Sequence, residues 1–141
     1  MDLKLEVVTI PVEDLDRAKA FYVEKLGFSS DIDHTVSDEV RLVQLTAPGS
    51  ACSIHLGQNG GGMTPGSLRG LFLVVTDLRA ARKLLAERGV EVTEPQIFDE
   101  GTYRPAKEGE NLYLVGCAFL SDPDGNAWTV QQIPPRNKAP A

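Results

Sequence analysis

The sequence predicts an α+β fold made from one half-domain used twice, and three observations lead there. A strand–helix–strand unit, VVTIPVEDLDRAKAFYVEKLGF, runs from Val7 to Phe28. A second unit, GLFLVVTDLRAARKLLAERGV, runs from Gly70 to Val90. Each is followed by strand-like segments rather than by further helix. Setting Asp77 over Asp14 places Leu78 over Leu15, Ala81 over Ala18, Leu85 over Tyr22 and Glu87 over Glu24. Gly89 meets Gly27 after deletion of one residue. A period above about 60 residues is too long for a solenoid repeat and suits a duplicated half-domain.

The elements follow in order. Val7 to Val12 is apolar and β-branched, hence a strand. Asp14 precedes a helical pattern, where its side chain can accept from orphan N–H groups of the first turn. Leu15, Ala18, Tyr22 and Leu26 recur at helical spacing, and Gly27 closes the helix because glycine tolerates left-handed geometry. SSDIDHTV is a polar, edge-like strand. Glu39 to Thr46 alternates, with Val40, Leu42 and Leu45 set against Arg41 and Gln44. After the turn Ala47–Ser50, Ala51 to Leu56 is the fourth strand.

Gln58 to Ser67 (QNGGGMTPGS) is a linker, since no Gly-Lys-Ser/Thr signature follows to make it a phosphate loop. In the second half, Val90 to Phe98 is strand-like with Pro95 marking an edge or bulge. Asp99 to Asn111 reads as a long polar loop and Leu112 to Leu120 as a nearly continuous apolar strand. SDPDGN is a tight turn, and Ala127 to Ile133 the last strand. Residues 1–141 form one domain on this reading: module one 3–57, linker 58–67, module two 68–133 and tail 134–141.

Composition excludes several function classes. A net charge of −6 with no basic run disfavours nucleic acid as a partner. No apolar run approaches the roughly 20 residues of a membrane span, and no signal peptide is visible, so the expected location is cytoplasmic. Cys52 and Cys117 lie far apart in apolar runs and read as buried reduced thiols.

IPVEDLDRAKAFYVEKLGF, VVTDLRAARKLLAERGV and FLSDPDGNAWTVQQI together resemble the vicinal oxygen chelate superfamily, which includes glyoxalase I, extradiol dioxygenases and bleomycin-resistance proteins. The resemblance spans nearly all of Leu3 to Ile133. It implies two tandem βαβββ modules forming a curled mixed sheet around a shared cleft, and commonly a homodimer.

The metalloenzymes of that superfamily place ligands at set positions, and the resemblance carries these onto Val7, Gly70 and Thr129, with the fourth on Ser53 or His55. Valine and glycine offer no donor atom, and a threonine hydroxyl is a poor ligand for zinc, nickel or iron. The only histidines are His34 and His55, without HxH, HxxxH or CxxC spacing to pre-assemble a pair. No metal or other cofactor is therefore expected. Strand alternation puts Thr9, Phe72 and Gln131 on the inner face with Val7 and Thr129, and Ser53 with His55. Gln44 or Arg41 joins them, depending on the parity of that strand. Trp128 reads as core, and Tyr103 and Arg104 as either solvated or reaching over a ligand.

The expected function is metal-independent binding of an apolar or aromatic small molecule at Val7, Thr9, Ser53, His55, Phe72, Thr129 and Gln131. The alternative is an enzyme of the same superfamily (lyase, isomerase or dioxygenase), with or without a divalent metal. There His55 would serve as general base, and Thr129 or Gln131 would orient the substrate.

Overall fold

A computed structural model of the chain describes residues 1–58 and 62–134. Parts of the expected linker (59–61) and tail (135–141) lie outside the described residues. The chain forms two compact units: residues 1–69 with 121–127, and residues 70–120 with 128–141. Among the described residues no helix is long and apolar enough to cross a membrane.

Unit 1 contains β1 (Val7–Pro11), α1 (Leu15–Ala20), β2 (Ser29–Thr35), β3 (Arg41–Thr46) and β4 (Ser53–Gly57). Its sheet order is β1-β4-β3-β2, with β1 parallel to β4 and the other pairs antiparallel. Asp14 caps α1 by accepting from Arg17 N, as its position predicts. A π-helical turn, Phe21–Lys25, continues the helix. This turn absorbs the one residue by which the first helix exceeds the second, because a wider i→i+5 loop lets an insertion sit between fixed ends. Gly27 then adopts φ 79° and allows Phe28 N–H to donate to the Tyr22 carbonyl.

Ile10, Val43, Leu45, Ile54 and Leu56 share one face of the sheet and are buried with Ala18, Phe21 and Tyr22 of the helix. The expected alternation of β3 needs correction here. Leu42 and Val40 are 40% and 45% exposed, and Val43 and Leu45 point inward. Pairing decides it: Leu45 lies opposite Ile54, so the core parity of β4 is imposed on β3. β2 is exposed along its whole length, as an edge strand of this polarity should be.

Unit 2 contains β5 (Leu71–Val75), α2 (Leu78–Glu87), β6 (Gln96–Asp99), β7 (Thr102–Pro105), β8 (Gly116–Ser121) and β9 (Ala127–Gln132), the last with its first residue in unit 1. Its order, β5-β9-β8-β6-β7, repeats that of unit 1 with one strand appended at the edge. Asp77 caps α2 through Ala80 N as Asp14 caps α1, and Gly89 at φ 81° ends it.

The appended strand is β7, inside the segment expected to be a polar loop. Asp99 pairs with Thr102 across Glu100 and Gly101, both at positive φ (50° and 82°). That is the two-residue turn whose twist suits a hairpin. Its usual marker is Asn or Asp before glycine, and Glu100 hides it. Two strand boundaries also move. β6 begins only after Pro95, which has no N–H to donate to a ladder. β8 begins at Gly116, because Leu112–Val115 form a turn with Leu114 at φ 66°.

Candidate functional site

The face of the unit 1 sheet turned away from the helix carries the candidate residues of that unit. Val7 pairs with Ser53 and Thr9 with His55, and His55 pairs in turn with Gln44. Val7 is exposed, Thr9, His55 and Gln44 are half-buried, and Ser53 is buried. Pro11 shares the parity but is fully buried, and its carbonyl accepts from Gly66 N and Asn126 Nδ2.

Hydrogen bonds order the protons along one edge of this face. Thr46 Oγ1 donates to the carboxylate of Asp31, which can only accept while ionised. Ser53 Oγ lies 2.6 Å from Thr46 Oγ1 and therefore donates to it. His55 differs. Its Nε2 is buried and has no hydrogen-bond partner among the described residues. Such a group carries a desolvation cost of about 1–3 kcal/mol.

Beside His55 lies a cavity of about 570 Å³, lined by Thr9, Val40, Leu42, Leu56, Met63 and Arg41 among others. A second, of about 670 Å³, shares Leu15, Glu39, Val40, Arg41 and Gln58 with it. This second cavity is acidic, with Glu13, Asp14, Asp16, Asp38 and Glu39 against Arg17 and Arg41. Both arginines are already engaged. Arg17 pairs with Asp124 at 3.1 Å, and Arg41 with Asp33 and Asp16 at 2.8 and 2.6 Å. The Arg41 guanidinium, with Lys19 beside it, holds the Asp33 carboxyl well below the usual carboxylate range.

Unit 2 carries Phe72, Thr129 and Gln131 on the corresponding face of its own sheet. Phe72 pairs with Thr129 and Val74 with Gln131; Trp128 and Val130, on the other face, are buried. Gln131 Nε2 donates to the Leu114 carbonyl, so this side chain already has a structural partner. Sequence reasoning missed an aromatic row. Tyr103 packs against Phe98 in a tilted pair and edge-to-face against Phe119, with ring centroids 5.2 and 5.1 Å away. Tyr103 could not be aligned with the others while its segment read as a loop. Burial pushes the Tyr103 hydroxyl up and does the same to the Cys117 thiol beside it. Arg104 faces elsewhere: it grips Glu110 (2.7 Å) and Asp99 (3.1 Å). It holds the Glu110 carboxyl down to about 2.

The DPDGN turn is structural. Asp122 Oδ1 accepts from Asp124 N, Gly125 N and Asn126 N, and Asp122 Oδ2 accepts from Tyr22 OH at 2.7 Å. Asn126 Nδ2 donates to Asp122 Oδ2 and to the Pro11 carbonyl, while Asn126 Oδ1 accepts from Leu68 N. The turn groups with unit 1 because its side chains complete that unit's polar interior.

Among the described residues no three His, Cys, Asp or Glu side chains group as an ion would need. Gly70 is at φ 83°, where any ligating side chain would be strained.

The whole-chain comparisons agree with this architecture. TnmS3, an antibiotic binding protein from Streptomyces sp. CB03234, is 32% identical, with 93% of this chain and 96% of that chain covered and a TM-score of 0.71. A glyoxalase/bleomycin resistance protein from the same strain is also 32% identical, over 92% of this chain and 100% of that one, with a TM-score of 0.69. A member of the superfamily from Sphaerobacter thermophilus DSM 20745 is 30% identical over 93% and 98%, with a TM-score of 0.72. Comparison with curated proteins gives no match. The family model for the glyoxalase/bleomycin resistance protein/dioxygenase superfamily matches residues 4–130, and the chain belongs to that superfamily.

Proposed function

We propose that this protein binds an apolar or aromatic small molecule without a metal, on the open face of unit 1 around Thr9 and His55. The observation that carries this reading is the cavity of about 570 Å³ at His55, within the size range of small-molecule sites, with apolar walls and few polar handles. The orphaned His55 Nε2 supports it, since a ligand's polar group could relieve that cost after a small ring rotation. The antibiotic-binding character of TnmS3 supports the ligand class. Val7, Gly70 and Thr129 support metal independence.

Thermal-shift screening against aromatic antibiotics tests the reading. A bound ligand raises the melting temperature by mass action, and His55→Ala should abolish the shift. A ligand whose effect survives both His55→Ala and Met63→Ala would refute the placement. Elemental analysis giving one transition metal per chain would refute metal independence. The same free nitrogen also favours a second reading, a metal-free enzyme with His55 as general base. Turnover lost with binding intact in His55→Ala would select it. Cytoplasmic location and a homodimer complete the proposal. The free thiols of Cys52 and Cys117 suit a reducing compartment, and light scattering of the purified chain reads the dimer directly.

A further inference from the structure

We infer that the ligand of the unit 1 cavity carries a neutral amide-type group, a carbonyl beside an N–H, and that Thr9 and Gln44 set this preference together with His55. This rests on the reading of that cavity as the binding site and adds the chemistry of its occupant. Thr9, His55 and Gln44 are consecutive partners across β1, β4 and β3, so their side chains stand side by side on the open face. Thr9 and His55 line the cavity of about 570 Å³. Gln44 stands at its edge, beside His55 and two residues after Leu42, which also lines it.

Hydrogen-bonding capacity in this row is unused. All three side chains are half-buried, and none makes a hydrogen bond to the described residues. The neighbouring rows differ. Ser53 and Thr46 bond to each other and Thr46 to Asp31, while Pro11 and Gly57 have no polar side chain to satisfy. Each member of the unused row holds both a donor and an acceptor: a hydroxyl, a carboxamide and, when neutral, an imidazole. A carbonyl beside an N–H meets both needs, whereas a ketone leaves the acceptors of the row unpaired. Charge does not serve instead. Arg41, which lines the cavity, is committed to Asp33 and Asp16 and is not free for a carboxylate. Each neutral hydrogen bond completed is worth about two- to tenfold in affinity.

The test uses three probes with one ring system: 1-naphthamide, 1-acetylnaphthalene and 1-naphthoate. Each is titrated calorimetrically into the full chain at pH 7. The amide should bind about tenfold or more tighter than the ketone, with the naphthoate weakest. Gln44→Met alone should lower the amide-to-ketone ratio at least about twofold. The double variant Thr9→Val, Gln44→Met keeps the side-chain bulk, removes two of the three polar groups and should bring the ratio below about threefold. Met63→Ala should weaken amide and ketone alike. Equal affinity for amide and ketone in the parent, or a naphthoate bound tighter than the amide, with Met63→Ala still weakening binding, overturns the amide assignment and leaves the cavity as a site. An amide preference that survives the double variant overturns the role given to Thr9 and Gln44. Binding insensitive to Met63→Ala, or no saturable binding at all, overturns both the assignment and the site.

Discussion

Replacing Asn126 by alanine should cost as much stability as truncating a large buried apolar side chain, although Asn126 touches no candidate ligand residue. Its side chain is 0% exposed and joins three partners: the Pro11 carbonyl at 2.9 Å, Asp122 Oδ2 at 2.7 Å and Leu68 N at 3.1 Å. Alanine leaves the Leu68 N–H with nothing in place of that bond. The Pro11 carbonyl keeps Gly66 N at 3.3 Å, and Asp122 keeps Tyr22 OH. One full orphan at about 1–3 kcal/mol, a weakened buried carboxylate and a small cavity sum to about 3–5 kcal/mol. For a chain of this size that corresponds to a melting temperature lower by about 10–15 °C. Urea unfolding followed by circular dichroism measures it as a fall in midpoint at constant slope. A loss below about 1 kcal/mol would refute the claim that this turn completes a buried polar interior. Asn126→Asp, which sets a second carboxylate against Asp122, should be at least as damaging as alanine.

Other expectations are checked by the same measurement. Tyr22→Phe removes one bond to a buried carboxylate and should cost about 1.5–3 kcal/mol. Gly66→Ala should cost more than about 2 kcal/mol, because a Cβ there would stand 2.0 Å from the Asp124 carbonyl oxygen at φ 80°. Gly49→Ala, at φ 77° with open space around it, should cost only about 1 kcal/mol. Glu100→Asn should stabilise the β6–β7 hairpin by about 0.5–1 kcal/mol, since asparagine tolerates positive φ better than glutamate. The Glu110 carboxyl is depressed by Arg104, so the stabilisation it gives the 104–110 segment is present above the ordinary carboxylate pKa. It is lost as pH falls from about 4.5 through about 2. Hydrogen exchange in that segment should rise over this window in the parent and show no such rise in Glu110→Gln.

Much of the fold was legible because it is written in local rules that occur twice. Asp14 and Asp77 precede helices and cap them; Gly27 and Gly89 follow helices and end them. The parity of β1, β5 and β9 followed from simple alternation. Misreadings came where the deciding contact is distant or chemically disguised. Val40 and Leu42 look like core until the pairing of Leu45 with Ile54 turns them outward. The β6–β7 turn uses Glu100 where asparagine would announce it.

The chain's own letters therefore determined the duplication, the caps, the superfamily and the lack of donor atoms at Val7 and Gly70, all properties of residue type and spacing. Tertiary structure alone decided which side chains meet: His55 beside Thr9 and Gln44, Arg41 committed to Asp33 and Asp16, and Tyr103 between Phe98 and Phe119. The reason is physical. A strand's sequence states that its side chains alternate, whereas register and pairing, settled only when separate strands bond, choose the neighbours across the sheet.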